Sequence, residues 1–219
     1  MPLKKDREYR NLVKPLEVRS LADGEDNTAK VVEGYATTFD EPYMLYSFRD
    51  WDGTLVEVWE QVDRDAFNET DMDDVIMQYD HEGRVFARKS NGTLELNADE
   101  HGLHVLANLG GTETGRQLYE EINGGYTNKM SFGFTVKEDS RTETEDHENN
   151  TIKVMRTITK IGKLYDVSAV SLPANDGTEI SSRNQSEGVI AEVMEEFQKR
   201  HEINIERQRM LLKIKSMEV

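Results

Sequence analysis

A serine between large apolar residues is the first feature of this sequence that could carry chemistry. Met130, Phe132 and Phe134 alternate along the segment and would point into the core of a strand. Ser131 and Gly133 then face the opposite side, with packing behind the serine and room beside the glycine for another backbone. A nucleophile needs this rigidity and access, although such a serine alone is more often an ordinary polar residue of a half-exposed strand.

Two further side chains could act together with a serine. His81 follows the apolar run at residues 75–80 and can project from a strand end into a cleft. Imidazole is well suited to accept a serine proton near neutral pH. Asp166 shares a predicted strand face with Leu164 and Ser168, and it could hold a histidine in one tautomer and stabilise its protonated form. Taken alone, His81 is more often a surface or capping histidine, and Asp166 could be a half-exposed aspartate.

The other candidate ligands do not form a metal-binding pattern. The chain has no cysteine, which excludes disulfides, thiolate metal sites and cysteine nucleophiles. The four remaining histidines lie at a turn, at a strand start, in an acidic segment and near the C-terminus: His101, His104, His147 and His201. The acidic group at residues 71–74 lacks the later ligand and the glycine of an EF-hand loop, which favours a capping role. We therefore expect no metal site at these residues.

Composition limits the classes of protein that this chain can belong to. Its 219 residues suffice for one sizeable core, and the formal net charge of −16 would repel the phosphate backbone of a nucleic acid. No apolar run approaches the roughly 18 residues of a membrane span, and the basic N-terminus lacks the apolar stretch of a secretion signal. An intracellular protein that binds neither nucleic acid nor membrane is the simplest interpretation.

Short alternating segments predict a mainly β fold with helices. Two alternating runs on either side of the turn at residues 99–102 indicate a β-hairpin. About seven strands are expected, at and around residues 31–36, 55–62, 93–98, 103–109, 130–136, 152–161 and 163–171. This number and spacing suit a closed barrel or a sandwich.

Two helices and one loop complete the predicted elements. Thr112 or Thr114 can cap a helix that runs to about Asn123. A second helix starts near Ser186, and the interruption of its apolar stripe favours a partner-binding or removable tail. Residues 137–150 contain no apolar side chain, which predicts a solvated and mobile hairpin loop.

These elements divide the chain into three predicted parts. A basic, irregular arm covers residues 1–28, one β-rich domain covers residues 29–182, and a helical tail covers residues 183–219. The arm could dock on an acidic partner, although such an arm is more often only a solvated terminus.

The order and contexts of these residues resemble the prohead proteases of tailed bacteriophages, distant relatives of the herpesvirus assemblins. The most specific part is the segment Ser-Phe-Gly-Phe followed by the ending Val-Ser-x-Val-x-x-Pro-Ala-Asn. The matching segments are Glu33-Gly34-Tyr35-Ala36, Asp65-Ala66-Phe67, Asp80-His81, Gly102-Leu103, Gly124-Gly125-Tyr126, Met130-Ser131-Phe132-Gly133-Phe134, Asp166-Val167-Ser168-Ala169-Val170 and Pro173-Ala174-Asn175.

The resemblance implies a fold and a catalytic pair. The fold would be a small closed β-barrel wrapped by helices, with Ser131 as the nucleophile and His81 as the general base. Phage relatives tend to have an acidic residue where Asp166 stands, whereas the herpesvirus branch uses a second histidine. The implied site is therefore a Ser-His-Asp triad or a Ser-His dyad, without a cofactor.

The resemblance also implies an activity and partners. Such an enzyme is a serine endopeptidase that cleaves the scaffold, or the scaffold-like segment of the major capsid protein, and itself. It acts inside the assembling prohead in the host cytoplasm, with the capsid or scaffolding protein and further copies of itself as partners. The alternative is an inactive scaffolding or capsid-interaction protein built on the same barrel. The presence of Ser131 and His81 in matching contexts favours the enzyme, and a generic β-barrel binding module would explain none of the paired motifs.

Overall fold

The computed structural model describes residues 7–19, 30–171 and 187–217. The described strands are β1 (Glu8–Pro15), β2 (Glu17–Val18), β3 (Val31–Thr38), β4 (Tyr43–Arg49), β5 (Leu55–Val62), β6 (Ile76–Tyr79), β7 (Glu82–Arg88), β8 (Leu94–Ala98), β9 (Gly102–Asn108), β10 (Lys129–Asp146) and β11 (Thr151–Val170). The described helices are α1 (Glu113–Asn123) and α2 (Glu187–Met217), and a 3-10 turn lies at Lys89–Asn91. The prediction of a mainly β fold with helices is confirmed.

The strands are arranged in two sheets. The larger sheet has the order β1-β10-β11-β5-β4, and the smaller, antiparallel sheet has the order β2-β3-β9-β8. Strand β11 pairs with β10 on one edge, while its other edge is shared between β5 at residues 151–158 and β6 at residues 166–169. Strand β6 also pairs with β7. This division places the turn between β6 and β7 beside the C-terminal end of β11.

The closed barrel implied by the resemblance is not formed by the described residues. Both sheets are open, with β1 and β4 as the outer strands of the larger sheet's main path and β2 and β8 as those of the smaller sheet. The chain changes sheets after β1, where Leu16 N donates to Asn128 O, and the next strand pairs with β3 instead. The two sheets share one apolar core, to which β3, β9, β10 and β11 all contribute buried side chains. Apolar packing joins the two sheets, and an isolated bridge links Phe39, just after β3, to Val62 of β5.

Several predicted elements are confirmed. Strand β5 has the predicted bounds, and Val56, Val58 and Val62 are fully buried on one face. The predicted hairpin corresponds to β8 and β9. Helix α1 ends at Asn123, and its cap is Thr112, whose side chain accepts a hydrogen bond of 3.0 Å from Gly115 N. The sequence reasoning missed β1, β2, β4 and β7.

The predicted mobile loop at residues 137–150 is wrong. Strand β10 continues to Asp146 and pairs with β11 along this length, so only a four-residue turn connects them. The two strands predicted at residues 152–161 and 163–171 are one strand, β11. Strand pairing satisfies the backbone of the polar residues, while β11 supplies buried apolar side chains such as Val154 and Ile158.

Helix α2 also differs from the prediction. Its first half packs on the larger sheet, where Val193 and Phe197 join a second apolar cluster with Val56, Val58 and Val154. A side chain of the second half, Leu212, is 67% exposed. The apolar stripe of α2 therefore packs on the larger sheet only over the first turns of the helix. Neither described helix has the length and apolar composition of a membrane crossing.

Part of the predicted domain organisation lies outside the described residues. This applies to most of the arm, to the Pro-Ala-Asn ending, to the boundary near residue 182 and to the predicted helix start at Ser186. The described part of the arm is not irregular, because it forms β1 and β2. The division into arm, domain and tail stays a prediction.

Candidate active site

Strand β10 holds Ser131 between two neighbouring strands of the larger sheet. Ser131 pairs with Asn11 of β1 on one side and with Ser168 of β11 on the other. As expected from the alternation, Phe132 and Phe134 are buried in the core behind it. Ser131 is itself 0% exposed, so the serine is rigidly held but covered.

A tight turn between β6 and β7 positions His81. Asp80 and His81 have φ values of 49° and 59°, and the flanking residues Tyr79 and Glu82 are paired. This is the left-handed backbone of a two-residue hairpin turn, which aspartate and histidine tolerate better than most side chains do. Asp80 fixes the turn to the end of β11, because its carboxylate accepts hydrogen bonds from Ser171 N at 3.1 Å and Ser171 Oγ at 3.0 Å.

The structure brings the three predicted site residues into one hydrogen-bonded group, called here the Ser-His-Asp cluster. Ser131 Oγ lies 2.6 Å from His81 Nε2, and His81 Nδ1 is hydrogen-bonded to Asp166 Oδ1. Asp166 is 1% exposed. When Nδ1 carries the proton and donates a hydrogen bond to the carboxylate, Nε2 is free to accept a hydrogen bond from the serine hydroxyl. This arrangement can activate a hydroxyl for attack on a carbonyl.

Ser168 is a member of the site whose role the sequence reasoning missed. Its hydroxyl donates to Asp166 Oδ1 at 3.2 Å, and the side chain is fully buried. The predicted face shared by Asp166 and Ser168 was a usable signal, since residues two apart on a strand point the same way.

Two side chains at the N-terminal end of the chain, Tyr9 of β1 and Arg7 just before it, lie over the Ser-His-Asp cluster, and no sequence signal pointed to them. The Tyr9 ring is 4.3 Å from the His81 ring, and Arg7 Nη1 is 3.5 Å from Asp166 Oδ2. A Cβ atom at Gly133 would stand 2.7 Å from Tyr9 Cε1 and would also overlap the Asp166 carboxylate. The space predicted beside Gly133 is therefore occupied by the side chains of Tyr9 and Asp166.

The opposite face of β1 is held by a buried group of charges, called here the charged cluster. Glu60 is fully buried and accepts hydrogen bonds from Arg10 Nε at 2.5 Å, Tyr43 OH at 2.5 Å and Arg156 Nη1 at 2.7 Å. Burial opposes the ionisation of Glu60, but the two guanidinium groups outweigh it and hold its pKa below the ordinary value. Glu8 bonds the same Arg156 at 2.8 Å.

The other sequence candidates lie elsewhere. His104 is 5.2 Å from the Tyr35 ring in the smaller sheet, and the His201 ring stacks on a tryptophan at the β4–β5 turn. Of the acidic group at residues 71–74, Asp71 caps a turn by accepting from Asp73 N at 3.1 Å. Asp74 is hydrogen-bonded by Arg88, which lowers its pKa to about 2. These contacts fit structural roles.

Comparison with known families decides the affiliation. Residues 14–198 match the family model described as Caudovirus prohead serine protease. The chain belongs to this family. Membership implies a serine protease of capsid maturation that interacts with capsid assembly proteins. No curated protein and no solved structure is significantly similar to the chain.

In this prohead protease, the region that matches the family model leaves out most of β1, the strand that lies over the Ser-His-Asp cluster. The match contains β10, β11 and the β6–β7 turn, and hence the whole Ser-His-Asp cluster. It begins at residue 14, whereas β1 covers Glu8–Pro15. The residues that lie over the cluster, Arg7 and Tyr9, are therefore outside the matched region.

Proposed function

We propose that this chain is a prohead maturation endopeptidase with Ser131 as nucleophile, His81 as general base and Asp166 as the group that orients the imidazole. The observation that carries the proposal is the continuous hydrogen bonding from Ser131 Oγ to His81 Nε2, at 2.6 Å, and from His81 Nδ1 to Asp166. Family membership supports the same chemistry.

The reaction is acyl transfer in two steps. Ser131 Oγ attacks the peptide carbonyl carbon while its proton moves to His81 Nε2. The C–N bond then breaks, and the imidazolium gives that proton to the leaving amine. Water repeats the sequence on the acyl-enzyme. The Asp166 carboxylate stabilises the imidazolium in both halves.

The proposed substrates are those that the resemblance to prohead proteases implies. The enzyme would cleave the scaffold, or the scaffold-like segment of the major capsid protein, and itself, inside the assembling prohead in the host cytoplasm. The major capsid protein or the scaffolding protein would be its partner. An exposed, extended segment is what a protease can bind, and scaffold segments and chain termini offer such segments.

Co-expression with the candidate capsid protein, followed by intact mass measurement, tests the proposal. The unchanged chain should shorten its partner, whereas Ser131→Ala and His81→Ala should each lose cleavage almost completely. The double variant should be no slower than either single one, because members of such a group act as a unit. Unchanged cleavage by Ser131→Ala would falsify the nucleophile assignment.

One observation favours a second candidate function. Ser131 is fully buried, as expected for a scaffolding or capsid-interaction protein that no longer catalyses. Diisopropyl fluorophosphate separates the two: an activated serine forms an O–P bond and releases fluoride, which intact mass detects. Modification at Ser131 supports the enzyme, and a chain that never reacts supports the inactive protein.

A further inference from the structure

Substrate cannot reach Ser131 in the arrangement described. The serine is 0% exposed and Asp166 is 1% exposed. A peptide carbonyl carbon must come within about 3–3.5 Å of the attacking oxygen. If Ser131 is the nucleophile, as proposed above, part of the cover has to leave before each reaction.

Strand β1 is the part of the cover that can leave. On one side of Ser131, β10 pairs with the 20-residue strand β11, which also carries Asp166 and pairs with β5 and β6. On the other side, β1 is the outermost strand of the sheet, and Asn11 stands opposite Ser131. Removing β1 exposes an edge of β10, and a free strand edge binds extended peptide through backbone hydrogen bonds.

The contact between β1 and the Ser-His-Asp cluster covers the site but leaves some of its buried polar atoms without hydrogen bonds. Among the described residues, Arg7 Nε and Asp166 Oδ2 are buried and accept or donate no hydrogen bond. The Arg7 cation nevertheless lies 3.5 Å from that carboxylate oxygen. Its charge opposes the role of Asp166, because it competes for the negative charge that would stabilise a protonated His81. Closure by β1 thus blocks access to Ser131 and places a second positively charged group beside the Asp166 carboxylate.

The opposite face of β1 holds the strand in place. Glu8 and Arg10 reach into the charged cluster, where Arg10 bonds Glu60 and Glu8 bonds Arg156. Arg156 has a further partner in Asp139, which belongs to β10 and not to β1. The ion pairs that hold β1 can therefore be weakened by substitutions that do not touch the Ser-His-Asp cluster.

We propose that β1 is an inhibitory strand. It occupies the edge of β10 that binds an extended substrate segment, and the chain turns over only while β1 is displaced from that edge. The proposal rests on the proposed function and adds to it a substrate-binding edge and a closed resting state. Displacement of β1 by a substrate segment, or its removal, opens the enzyme.

The test uses the full-length chain and two matched substitutions. Glu8→Gln weakens the grip on β1, while Asp139→Asn removes a carboxylate from the same Arg156 but leaves β1 held. If the open fraction limits reactivity, loosening β1 raises the rate in proportion to that fraction. Glu8→Gln should accelerate the reaction of Ser131 with diisopropyl fluorophosphate about tenfold, whereas Asp139→Asn should leave it within about twofold.

Two further measurements guard against a folding defect in Glu8→Gln. Tyr9→Ala leaves the charged cluster intact and removes the ring over His81, so it should also react faster. Amide hydrogen exchange on the unsubstituted chain should show β1 losing protection once Ser131 carries the phosphoryl group. Equal rates in all variants, with β1 still protected after labelling, would overturn the inhibitory strand and leave the proposed function standing. Absence of labelling in every variant would overturn both.

Discussion

At the scale of single residues, each member of the Ser-His-Asp cluster is restrained by a different kind of contact. Ser131 is fixed by core packing behind β10, and Asp166 by burial and the hydroxyl of Ser168. His81 is fixed by a left-handed turn. Such restraint matters because small misplacements of reacting groups cost large factors in rate.

Substitutions of Asp166 and of Ser168 should slow the labelling of Ser131 by different factors. Asp166→Asn favours the wrong tautomer of His81 and should slow the limiting rate of Ser131 labelling about 10³- to 10⁴-fold. Ser168→Ala removes only a hydrogen bond to Asp166 and should slow it roughly tenfold, with the half-saturating reagent concentration unchanged.

Labelling kinetics and thermal unfolding of both variants check this order. Ser140→Ala, an exposed serine on the outer half of β10, is the control and should behave like the unchanged chain. Full activity in Asp166→Asn would leave a Ser-His dyad or point to another carboxylate or histidine.

At the scale of elements, the β6–β7 turn is the part that positions His81, the proposed general base. Strand β6 pairs with β11 over only four residues, so the turn needs a second attachment. The Asp80 carboxylate provides it by accepting from Ser171 N and Oγ, while Asp80 N donates to Ala169 O at 2.9 Å.

Substitutions at Asp80 should therefore change the rate through the position of His81. Asp80→Ala loses the attachment to Ser171 and suits a positive φ poorly, so the limiting rate of labelling should fall about tenfold. Asp80→Asn keeps an acceptor and tolerates the turn, so it should recover most of the rate. Equal rates for the two variants would show that the attachment does not position the base.

The docked first half of α2 and the exposed second half bear on self-processing. Residues 172–186 are outside the described part, and α2 is anchored at Arg200 by two hydrogen bonds to Glu143. Cleavage needs an extended segment, so the docked turns would have to unfold first.

We expect concentrated active chain to trim itself in its terminal segments, between about residue 182 and the C-terminus. Mass spectrometry over time should show fragments from the unchanged chain and a full-length Ser131→Ala chain. The same fragments from both would identify a contaminating protease. An active chain that stays full length would indicate a fixed docking role for α2.

At the scale of the whole molecule, the charged cluster links β1, β4, β5, β10 and β11. Glu60 lies at its centre without exposure to solvent. Removing one partner of a buried ion pair leaves an uncompensated charge, which typically costs about 3–5 kcal/mol.

Glu60→Gln should therefore lower the free energy of unfolding by about 3–5 kcal/mol at pH 7. Because the folded pKa of Glu60 is lowered, its contribution is complete above the unfolded pKa of about 4.3 and is lost as pH falls through the folded pKa. The difference between the variant and the unchanged chain should thus narrow on acidification below about pH 4.

Urea unfolding at pH 7 and at pH 3 measures this. Glu95→Gln, an exposed site on β8, serves as the control and should change stability by less than about 0.5 kcal/mol at either pH. If the difference in free energy of unfolding between Glu60→Gln and the unchanged chain were as large at pH 3 as at pH 7, the destabilisation would result from lost packing and not from lost charge.

The sequence alone determined the features that depend on local pattern. The alternation around Ser131 placed it on a strand with its neighbours buried, and the Thr112 cap and Asn123 end of α1 follow from side-chain chemistry within a few residues. The family was also recognisable, because its motifs are short and ordered along the chain.

Only the tertiary structure decided the features that depend on residues far apart in the chain. Residues 137–146 lack apolar side chains and were predicted as a loop, yet pairing with β11 makes them a strand. The two sheets are open and are joined through one shared apolar core. Tyr9 lies against His81 and Arg7 against Asp166, far apart in the sequence. No local pattern encodes such a contact, because it forms only when the edge strand β1 pairs with β10.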